Sequence, residues 1–310
     1  MVSPVFLIGM AIMTGWSVVT VLVRAILLGF HFDPWSLAMA LQVVAGATLL
    51  TAAGIRSLPL EPLTRWATWV IGGFRIVTTC CFLAALLYGS ATTITLVSTL
   101  NVPVAALGVL IVFGRRLRAR EGPGFALLAL GIVLLASRLD GGFASPAIPL
   151  LLVSETFVVF ASLLAERHPD NLGDRRQRLA LAGFVTMLSA GGLLTLWGLV
   201  GLAFPGAEIG PSSADVVASL TSPWLWLMAL MLGAIFRAPL TYMSFQITRM
   251  LGADGYMLTM AALPLATLIV EFLFSLTGLV PAPSHAPLDL AYSALIVVGT
   301  AWIIVLRFRR

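Results

Sequence analysis

The chain contains no lysine, and charge of either sign is scarce. Only 10% of its 310 residues are charged and 60% are hydrophobic, whereas ordinary soluble domains carry about 25% charged residues. The absence of lysine excludes a phosphate-binding loop that ends in glycine and lysine. No basic stripe interleaved with stacking aromatic residues favours nucleic acid as a partner. The composition therefore predicts an integral membrane protein whose partner is the lipid bilayer.

Cysteine and histidine are also scarce, and their positions argue against catalytic chemistry. Cys80 and Cys81 are adjacent in an apolar run, where a structural disulfide between them has no suitable geometry, so they are predicted to be core residues. His31, His168 and His285 fall in three different loops and are predicted to be solvated. Without a catalytic set or a metal site, the sequence predicts neither an enzyme nor a cofactor.

Apolar runs long enough to cross a bilayer recur along the chain. A helix needs about 20 residues to cross roughly 30 Å of hydrocarbon, and ten such runs are bounded by polar, glycine or proline residues. They are Pro4–Phe30, Pro34–Ile55, Trp66–Leu87, Thr92–Phe113, Pro123–Leu139, Pro146–Ala165, Leu179–Phe204, Pro223–Gln246, Asp254–Thr277 and Leu288–Leu306. This pattern predicts an all-α integral membrane protein with ten transmembrane helices.

The arginines are distributed unevenly between the two sides of the predicted membrane. All but four of the 18 arginines lie in segments that share one side, and cytoplasmic loops retain positive charge. The exceptions are Arg138, in an opposite loop, and Arg24, Arg75 and Arg237, which lie within spans. The bias predicts a multi-pass protein of the cytoplasmic (inner) membrane with both termini in the cytoplasm.

A short motif recurs in the two halves of the chain. Phe74-Arg75 lies nine residues into one apolar run and returns as Phe236-Arg237. A charged residue in such surroundings tends to face a cavity, a partner or a substrate. The two arginines are therefore the first candidates for a functional site.

The match between the halves continues downstream of the motif. With the arginines superimposed, Ala91 falls on Ala253, and after a one-residue gap Pro103 falls on Pro264. Chance similarity between apolar helices is the alternative explanation. We interpret the match as an internal repeat.

The repeat predicts an inverted architecture. Each half holds five spans, an odd number, so the second half enters the membrane from the opposite side. We predict a first repeat over 1–140 and a second over 141–310, with a cytoplasmic connector, 166–178, between the sixth and seventh helices. Inverted repeats place a binding site near the midplane between the halves.

The fifth and tenth runs share a weaker feature. Gly124 and Gly131 are seven residues apart in the fifth run, as are Tyr292 and Gly299 in the tenth. A spacing of seven places residues on one helical face, and glycine there allows helices to approach closely.

These residues resemble the drug/metabolite transporter superfamily, EamA type, whose members have ten helices. The resemblance extends over the whole chain through topology, and the matching motifs are Ala85 to Ala91, Leu100-Asn101-Val102-Pro103, Glu121-Gly122-Pro123-Gly124, Gly131-Ile132-Val133 and, more weakly, Ala253, Pro264 and Ala294 to Gly299. It implies a transporter of amino acids, other metabolites or drugs.

The chain departs from the family pattern at two places. The family usually has a glutamate where the fourth helix meets the cytoplasm, and Gly114-Arg115-Arg116-Leu117 stands there instead. An arginine often found in the second helix is replaced by Gln42. Ser154-Glu155-Thr156 is weakly similar to the first helix of small multidrug resistance proteins, whose glutamate exchanges protons.

Two roles compete for the buried arginines. Arg75 and Arg237 remain protonated in any environment, and a guanidinium is suited to gripping a carboxylate or phosphate. Alternatively each is held in an ion pair with Glu155 or Glu271, the deep carboxylates of the sequence. Arg24 is expected to extend to the membrane surface from the outer end of its helix.

The same two glutamates are candidates for proton coupling. Burial of Glu155 or Glu271 would disfavour the charged form of its carboxyl group, so either could exchange a proton. A static ion pair is the alternative for both. Protons are thus a candidate partner beside the small-molecule substrate.

Further polar and aromatic residues near these charges are candidates for substrate contact, although interhelical packing explains them equally well. These candidates are Phe74, Phe236, Thr95, Thr99, Asn101, Tyr242 and Tyr256. Most of six tryptophans are expected to anchor helix ends at the membrane interface. They are Trp16, Trp35, Trp66, Trp69, Trp224 and Trp226.

The sequence therefore predicts a secondary active transporter of a small organic metabolite, an amino acid or another carboxylate- or phosphate-bearing molecule, that works by alternating access. A lipid-head-group flippase of the same fold is the main alternative, and a membrane-embedded enzyme or receptor is a weaker one. The oligomeric state stays open, and the sequence is compatible with a monomer.

Overall fold

The computed structural model describes residues 4–114, 119–139, 141–203, 218–280 and 287–308, and within them it contains helices and no strand. The predicted all-α class is confirmed. Arg115, Arg116 and Arg118, most of the loop 205–222 and His285 lie outside the described residues.

Most helices follow the predicted apolar runs, but the fourth run is divided into two helices, and one helix extends across the predicted gap between the eighth and ninth runs. Their bounds are α1 Pro4–Phe30, α2 Pro34–Ala53, α3 Trp66–Ala85, α4 Ala91–Ser98, α5 Asn101–Phe113, α6 Gly122–Ala136, α7 Ala147–Glu166, α8 Pro169–Leu172, α9 Arg175–Ala203, α10 Pro223–Leu232, α11 Ala238–Met260, α12 Leu263–Leu276 and α13 Pro287–Phe308. A π-helical turn, Gly233–Arg237, joins α10 to α11.

The chain is a multi-pass membrane protein. Eight helical segments of the described residues are long and apolar enough to cross a bilayer, and two shorter apolar helices, Leu263–Leu276 and Ala291–Ile303, accompany them. Large apolar side chains such as Ile111 and Leu276 lie on the outer surface, 80% and 69% exposed. Such a surface is costly in water and suits contact with lipid.

Several helices are interrupted where the sequence holds glycine or proline. The run 91–113 breaks at Thr99 and Leu100, shortly before Pro103. Gly252, inside α11, has φ +78°, a conformation that strains residues with a Cβ, and it separates two helical directions. Pro264 lies at the second position of α12, where its missing N–H costs nothing.

Close approach at glycines, which the seven-residue spacing favours, occurs between α6 and α13. A Cβ on Gly124 would lie 2.9 Å from the carbonyl oxygen of Gly299, and a Cβ on Gly131 would lie 2.9 Å from that of Tyr292. The two glycine-bearing faces therefore pack against each other, and only glycine permits this separation. Elsewhere α2 packs on α9 and α3 packs on α7.

Candidate functional site

A cavity of about 150 Å³ lies among helices from both halves of the chain. One water needs roughly 10–15 Å³ of such space, so the cavity has room for a small organic molecule. Its polar lining consists of Trp16, Thr20, Gln42, Arg75, Thr78, Thr79, Ser98, Asn101, Ser154, Glu155, Arg237, Thr241 and Tyr256. Its apolar lining includes Leu83, Leu86, Met260 and Leu263.

Arg237 is held rigidly in the cavity wall. It is 6% exposed, its Nε donates to Gln42 Oε1 at 3.2 Å, and one terminal nitrogen donates to Thr79 Oγ1 at 2.6 Å. Its guanidinium also lies over the ring of Trp16, 5.4 Å from the centroid. Neutral acceptors and an aromatic face therefore stabilise this cation.

The Gln42 and Thr79 side chains are themselves fixed by further hydrogen bonds. Gln42 Nε2 donates to Thr79 Oγ1 at 2.9 Å, and Thr79 Oγ1 donates to the Arg75 carbonyl oxygen at 2.9 Å. The network joins α2, α3 and the π-helical turn. Gln42, where the resemblance leads one to expect arginine, thus becomes an acceptor for an arginine of the other half.

Arg75 is far less constrained. It is partly exposed to the cavity, and its guanidinium lies over the Phe245 ring, 4.7 Å from the centroid. Among the described residues its side chain makes no hydrogen bond and no ion pair. Its five N–H donors are available to a ligand.

Glu155 lies on the α7 side of the cavity and contacts neutral groups. Asn101 Nδ2 donates to Glu155 Oε2 at 3.0 Å, and Asn101 Oδ1 has no protein partner. Neither Arg75 nor Arg237 forms an ion pair with Glu155 among the described residues. The predicted alternative in which Glu155 neutralises an arginine is therefore wrong for this conformation.

Glu271 does not line the cavity, and its contacts stabilise the start of a helix. Its carboxylate accepts from the backbone N–H of Ala91 at 3.2 Å and of Thr92 at 3.0 Å, and from Thr92 Oγ1 at 2.6 Å. The orphan amides that begin α4 are thereby satisfied. A predicted ion pair is present, but its partner is Arg24 at 3.6 Å, not Arg75 or Arg237.

Two expectations about α1 need correction. Arg24 does not extend to the surface, because its Nε donates to the Gly89 carbonyl oxygen at 2.8 Å while its terminal nitrogen faces Glu271. Trp16 lies in the middle of α1 and lines the cavity, rather than anchoring a helix end. Both differences arise from partners far away in sequence.

Several predicted contact residues are turned away from the cavity. Phe74 packs on Phe157, with ring centroids 4.9 Å apart, while Phe236 and Tyr242 pack against two apolar clusters. Thr95 and Thr99 donate to carbonyl oxygens of α4. Of the predicted substrate contacts, the structure brings Arg75, Arg237, Asn101 and Tyr256 together with Glu155.

The structure adds lining residues that the sequence did not single out for the cavity. Thr79 and Thr241 lie four residues beyond Arg75 and Arg237, about one helical turn. That spacing from each arginine is a signal that could have identified both threonines. Trp16 and Gln42 carry no comparable signal.

His168 is buried, which corrects its predicted solvation. It is 1% exposed; its Nδ1 accepts from the Asp170 N–H at 3.3 Å, and its Nε2 lies 3.1 Å from Thr68 Oγ1. Arg65 Nε donates to Asp170 Oδ2 at 3.0 Å. Burial lowers the pKa of the His168 imidazole; Asp170 opposes this shift and Arg65 adds to it. His31, by contrast, is exposed, as predicted.

Comparison with known proteins addresses the fold. No protein family model and no curated protein matches the chain. A solved crystal structure of a protein matches it with 23% identity and a TM-score of 0.61, over 99% of this chain and 99% of that one. At this identity the likeness shows a shared fold alone.

Proposed function

We propose that this protein is a secondary active transporter that moves a small organic molecule bearing a carboxylate or phosphate by alternating access. The observation that carries the proposal is the cavity lined from both halves of the chain, whose wall includes Arg75, a cation with no side-chain hydrogen bond or ion pair among the described residues. Burying a cation at membrane depth costs free energy, and such residues usually face a cavity, a partner or a substrate. An anionic group of the substrate would supply the missing contacts.

Ten spans and inverted repeats form part of the proposal. The break at Gly252 divides the long segment Pro223–Met260 into an eighth span and the beginning of a ninth, which α12 completes, and α13 forms the tenth. The eighth span then corresponds to α3, and the ninth to α4 with α5.

Helix packing supports this correspondence. In the proposed repeat, α7 is the counterpart of α1, and α11, which contains the later part of the eighth span, is the counterpart of α3. A contact between α3 and α7 should then be matched by a contact between α11 and α1, and both contacts are present. The contacts of α1 with α12 and of α7 with α5 form a second such pair. The contacts of α2 with α9 and of α6 with α13 each join two helices that are counterparts of each other, so exchanging the halves leaves these contacts unchanged.

The starts of the two broken helices give further support. Ala91 and Ala253, which are equivalent in the sequence repeat, each donate a backbone N–H to a glutamate. Glu271 accepts from Ala91 at 3.2 Å, and Glu166 accepts from Ala253 at 2.8 Å. A carboxylate at a helix N-terminus is favourable, and here it ties the helix to a neighbouring span.

Alternating access would use the interrupted segments. The cavity is lined from α1, α2, α3, α7 and α11, from Ser98 and Asn101 beside the break at Thr99 and Leu100, and from Met260 and Leu263 at the junction of α11 and α12. Relative motion of the halves would therefore change its outline. π-Helical turns often occur at functional sites, and the turn Gly233–Arg237 carries one of the two arginines. We further propose the EamA-type family, an inner-membrane location and cytoplasmic termini, on the resemblance and on the arginine bias.

Uptake into reconstituted vesicles tests the proposal. Purified protein is first screened by thermal shift against organic acids, phosphate esters, amino acids and cations, and the stabilising compounds are then offered to vesicles as radiolabelled substrates. The proposal expects saturable uptake of a carboxylate or phosphate compound. Arg249→Gln is the matched control, since Arg249 is exposed and is not among the residues that line the cavity. Uptake no faster than in protein-free vesicles would refute transport.

Proton coupling is assigned to Glu155 and has its own test. Glu155→Gln is expected to retain substrate binding and to lose the dependence of uptake on an imposed pH gradient, because the amide cannot exchange a proton. Glu271→Gln is the comparison variant and should keep that dependence. Unchanged coupling in Glu155→Gln would exclude the assignment.

A further inference from the structure

The cavity has an unbalanced set of charges. Among its described lining residues the charged or titratable side chains are Arg75, Arg237, Glu155 and Tyr256. Both arginines stay protonated, and an ordinary tyrosine is neutral near pH 7. Two cations therefore face one carboxylate, which leaves one positive charge when Glu155 is ionised and two when it is protonated.

Contacts within the protein leave this imbalance in place. Arg237 donates to the neutral side chains of Gln42 and Thr79, and Arg75 lies over the face of Phe245. Glu155 accepts from Asn101 and from no cation among the described residues. The charges are therefore oriented but not neutralised.

Closure of the cavity makes the imbalance decisive. While the cavity is open, water and mobile ions compensate its charge. When the halves close over a substrate, those partners are excluded and a remaining net charge is buried at membrane depth, which is unfavourable. Closure is thus favoured only when the occupant restores neutrality.

Building on the proposed transport function, we infer that this site selects its substrate by net charge: it carries an organic monoanion while Glu155 is ionised, and a dianion only together with a proton on Glu155. The anionic group binds Arg75, whose donors are unused. The apolar body of the substrate lies toward Leu83, Leu86 and Leu263. A zwitterion leaves one positive charge unbalanced, and a cation leaves two.

Permanently charged aromatic probes test this inference without titration of the ligand. The series consists of benzenesulfonate, benzene-1,3-disulfonate, zwitterionic 4-(aminomethyl)benzenesulfonate and phenyltrimethylammonium. Binding to the detergent-solubilised full chain is measured by isothermal titration calorimetry between pH 6 and 8, in buffers of different ionisation enthalpy, so that proton uptake is counted directly.

The expected results are specific to each probe. While Glu155 is ionised, benzenesulfonate binds with a Kd that does not change with pH, and the zwitterion binds at least about tenfold more weakly. Where Glu155 is protonated, benzenesulfonate binds more weakly and with release of a proton. The disulfonate binds with uptake of one proton, so its Kd rises about tenfold for each unit of increasing pH once Glu155 is ionised. Equal affinity for the zwitterion, binding of the cation, disulfonate binding without proton uptake, or no binding of benzenesulfonate would each overturn the inference.

Charge variants provide a second measurement. Glu155→Gln should make disulfonate binding independent of pH, and Arg75→Gln should shift preference from the monoanion to the zwitterion. Arg249→Gln should change neither. Binding can be measured without two compartments, so the two proposals can fail separately. Charge-selective binding without uptake into vesicles would refute transport but not charge selection. Uptake of a zwitterion that binds as tightly as the monoanion would refute charge selection but not transport.

Discussion

Arg75 and Arg237 each follow a phenylalanine in matching Phe-Arg dipeptides, one in each half of the chain, yet their surroundings differ. Arg237 is 6% exposed and is fastened by Gln42, Thr79 and the ring of Trp16. Arg75 has only the ring of Phe245 as a partner among the described residues. The same dipeptide therefore gives one anchored cation and one that is available to a ligand.

Local backbone geometry accompanies this difference. Arg75 lies in the regular helix α3, whereas Arg237 ends a π-helical turn. Such a turn inserts an extra residue into the helical repeat and rotates the rest of the helix about its axis. The hydrogen bonds of Arg237 are then made to α2 and α3, both in the first half. Equivalent sequence positions thus do not imply equivalent contacts.

The largest expected effect separates the two arginines by function. Arg75→Ala should reduce substrate uptake at least about 100-fold, because truncating one partner of a buried charge contact costs several kcal/mol, with little change in the unfolding temperature. Arg237→Ala should reduce uptake and also lower the unfolding temperature, since it removes the hydrogen bonds to Gln42 and Thr79. Equal unfolding temperatures and equal uptake for the two variants would break the comparison.

A second prediction compares the two buried glutamates. Glu271→Gln should destabilise the protein by about 2 kcal/mol, because an amide nitrogen would face the N–H groups of Ala91 and Thr92, and it weakens the contact with Arg24. Glu155→Gln should change stability by less than about 1 kcal/mol, since a single hydrogen bond is involved. Urea unfolding in detergent measures both. A less stable Glu155→Gln would reverse the assignment of structural and functional roles.

A third prediction addresses the anchor of Arg237. Gln42→Leu removes the acceptor of its Nε and should destabilise the protein by about 1–2 kcal/mol. The matched change at the other arginine, Phe245→Leu, removes a cation–π contact of about 0.5–1 kcal/mol. Unfolding midpoints of both variants can be compared directly, and an equal or larger loss in Phe245→Leu would show that Arg75 is the better anchored cation.

The smallest expected effect concerns the loss of folding stability at acidic pH. We attribute part of it to His168 and none to Arg75 or Arg237, which stay protonated. Because the native pKa of His168 is lowered by burial, the unfolded chain binds its proton more readily. Stability from this residue is fully present above about pH 6.5 and is lost as pH falls toward the lowered native value. The unfolding temperature of wild type and Arg75→Ala should drop in parallel there, and His168→Gln should flatten the curve. An unchanged slope would rule out His168 as the source.

Sequence patterns predicted the helices well because helix formation in a bilayer depends on local composition. Pro4–Phe30 was predicted with the bounds that the structure has, and glycines of α6 and α13 lie at a close helix contact, as their spacing favours, although the sequence did not predict that these two helices are partners. The site was predicted less completely. Asn101 and Tyr256 line the cavity, whereas Phe74, Tyr242, Thr95 and Thr99 do not, since hydropathy does not specify how each helix is rotated about its axis.

By itself, the sequence determined that this is an all-α membrane protein and that a Phe-Arg dipeptide recurs within apolar runs of both halves of the chain, because apolar length and charge position are local properties. Only the tertiary structure decided which groups meet. Glu271 reaches Ala91 across 180 positions and Arg237 reaches Gln42 across 195. Such contacts depend on helix rotation, packing depth and a single π-helical turn, and these arise from the assembly of all helices together.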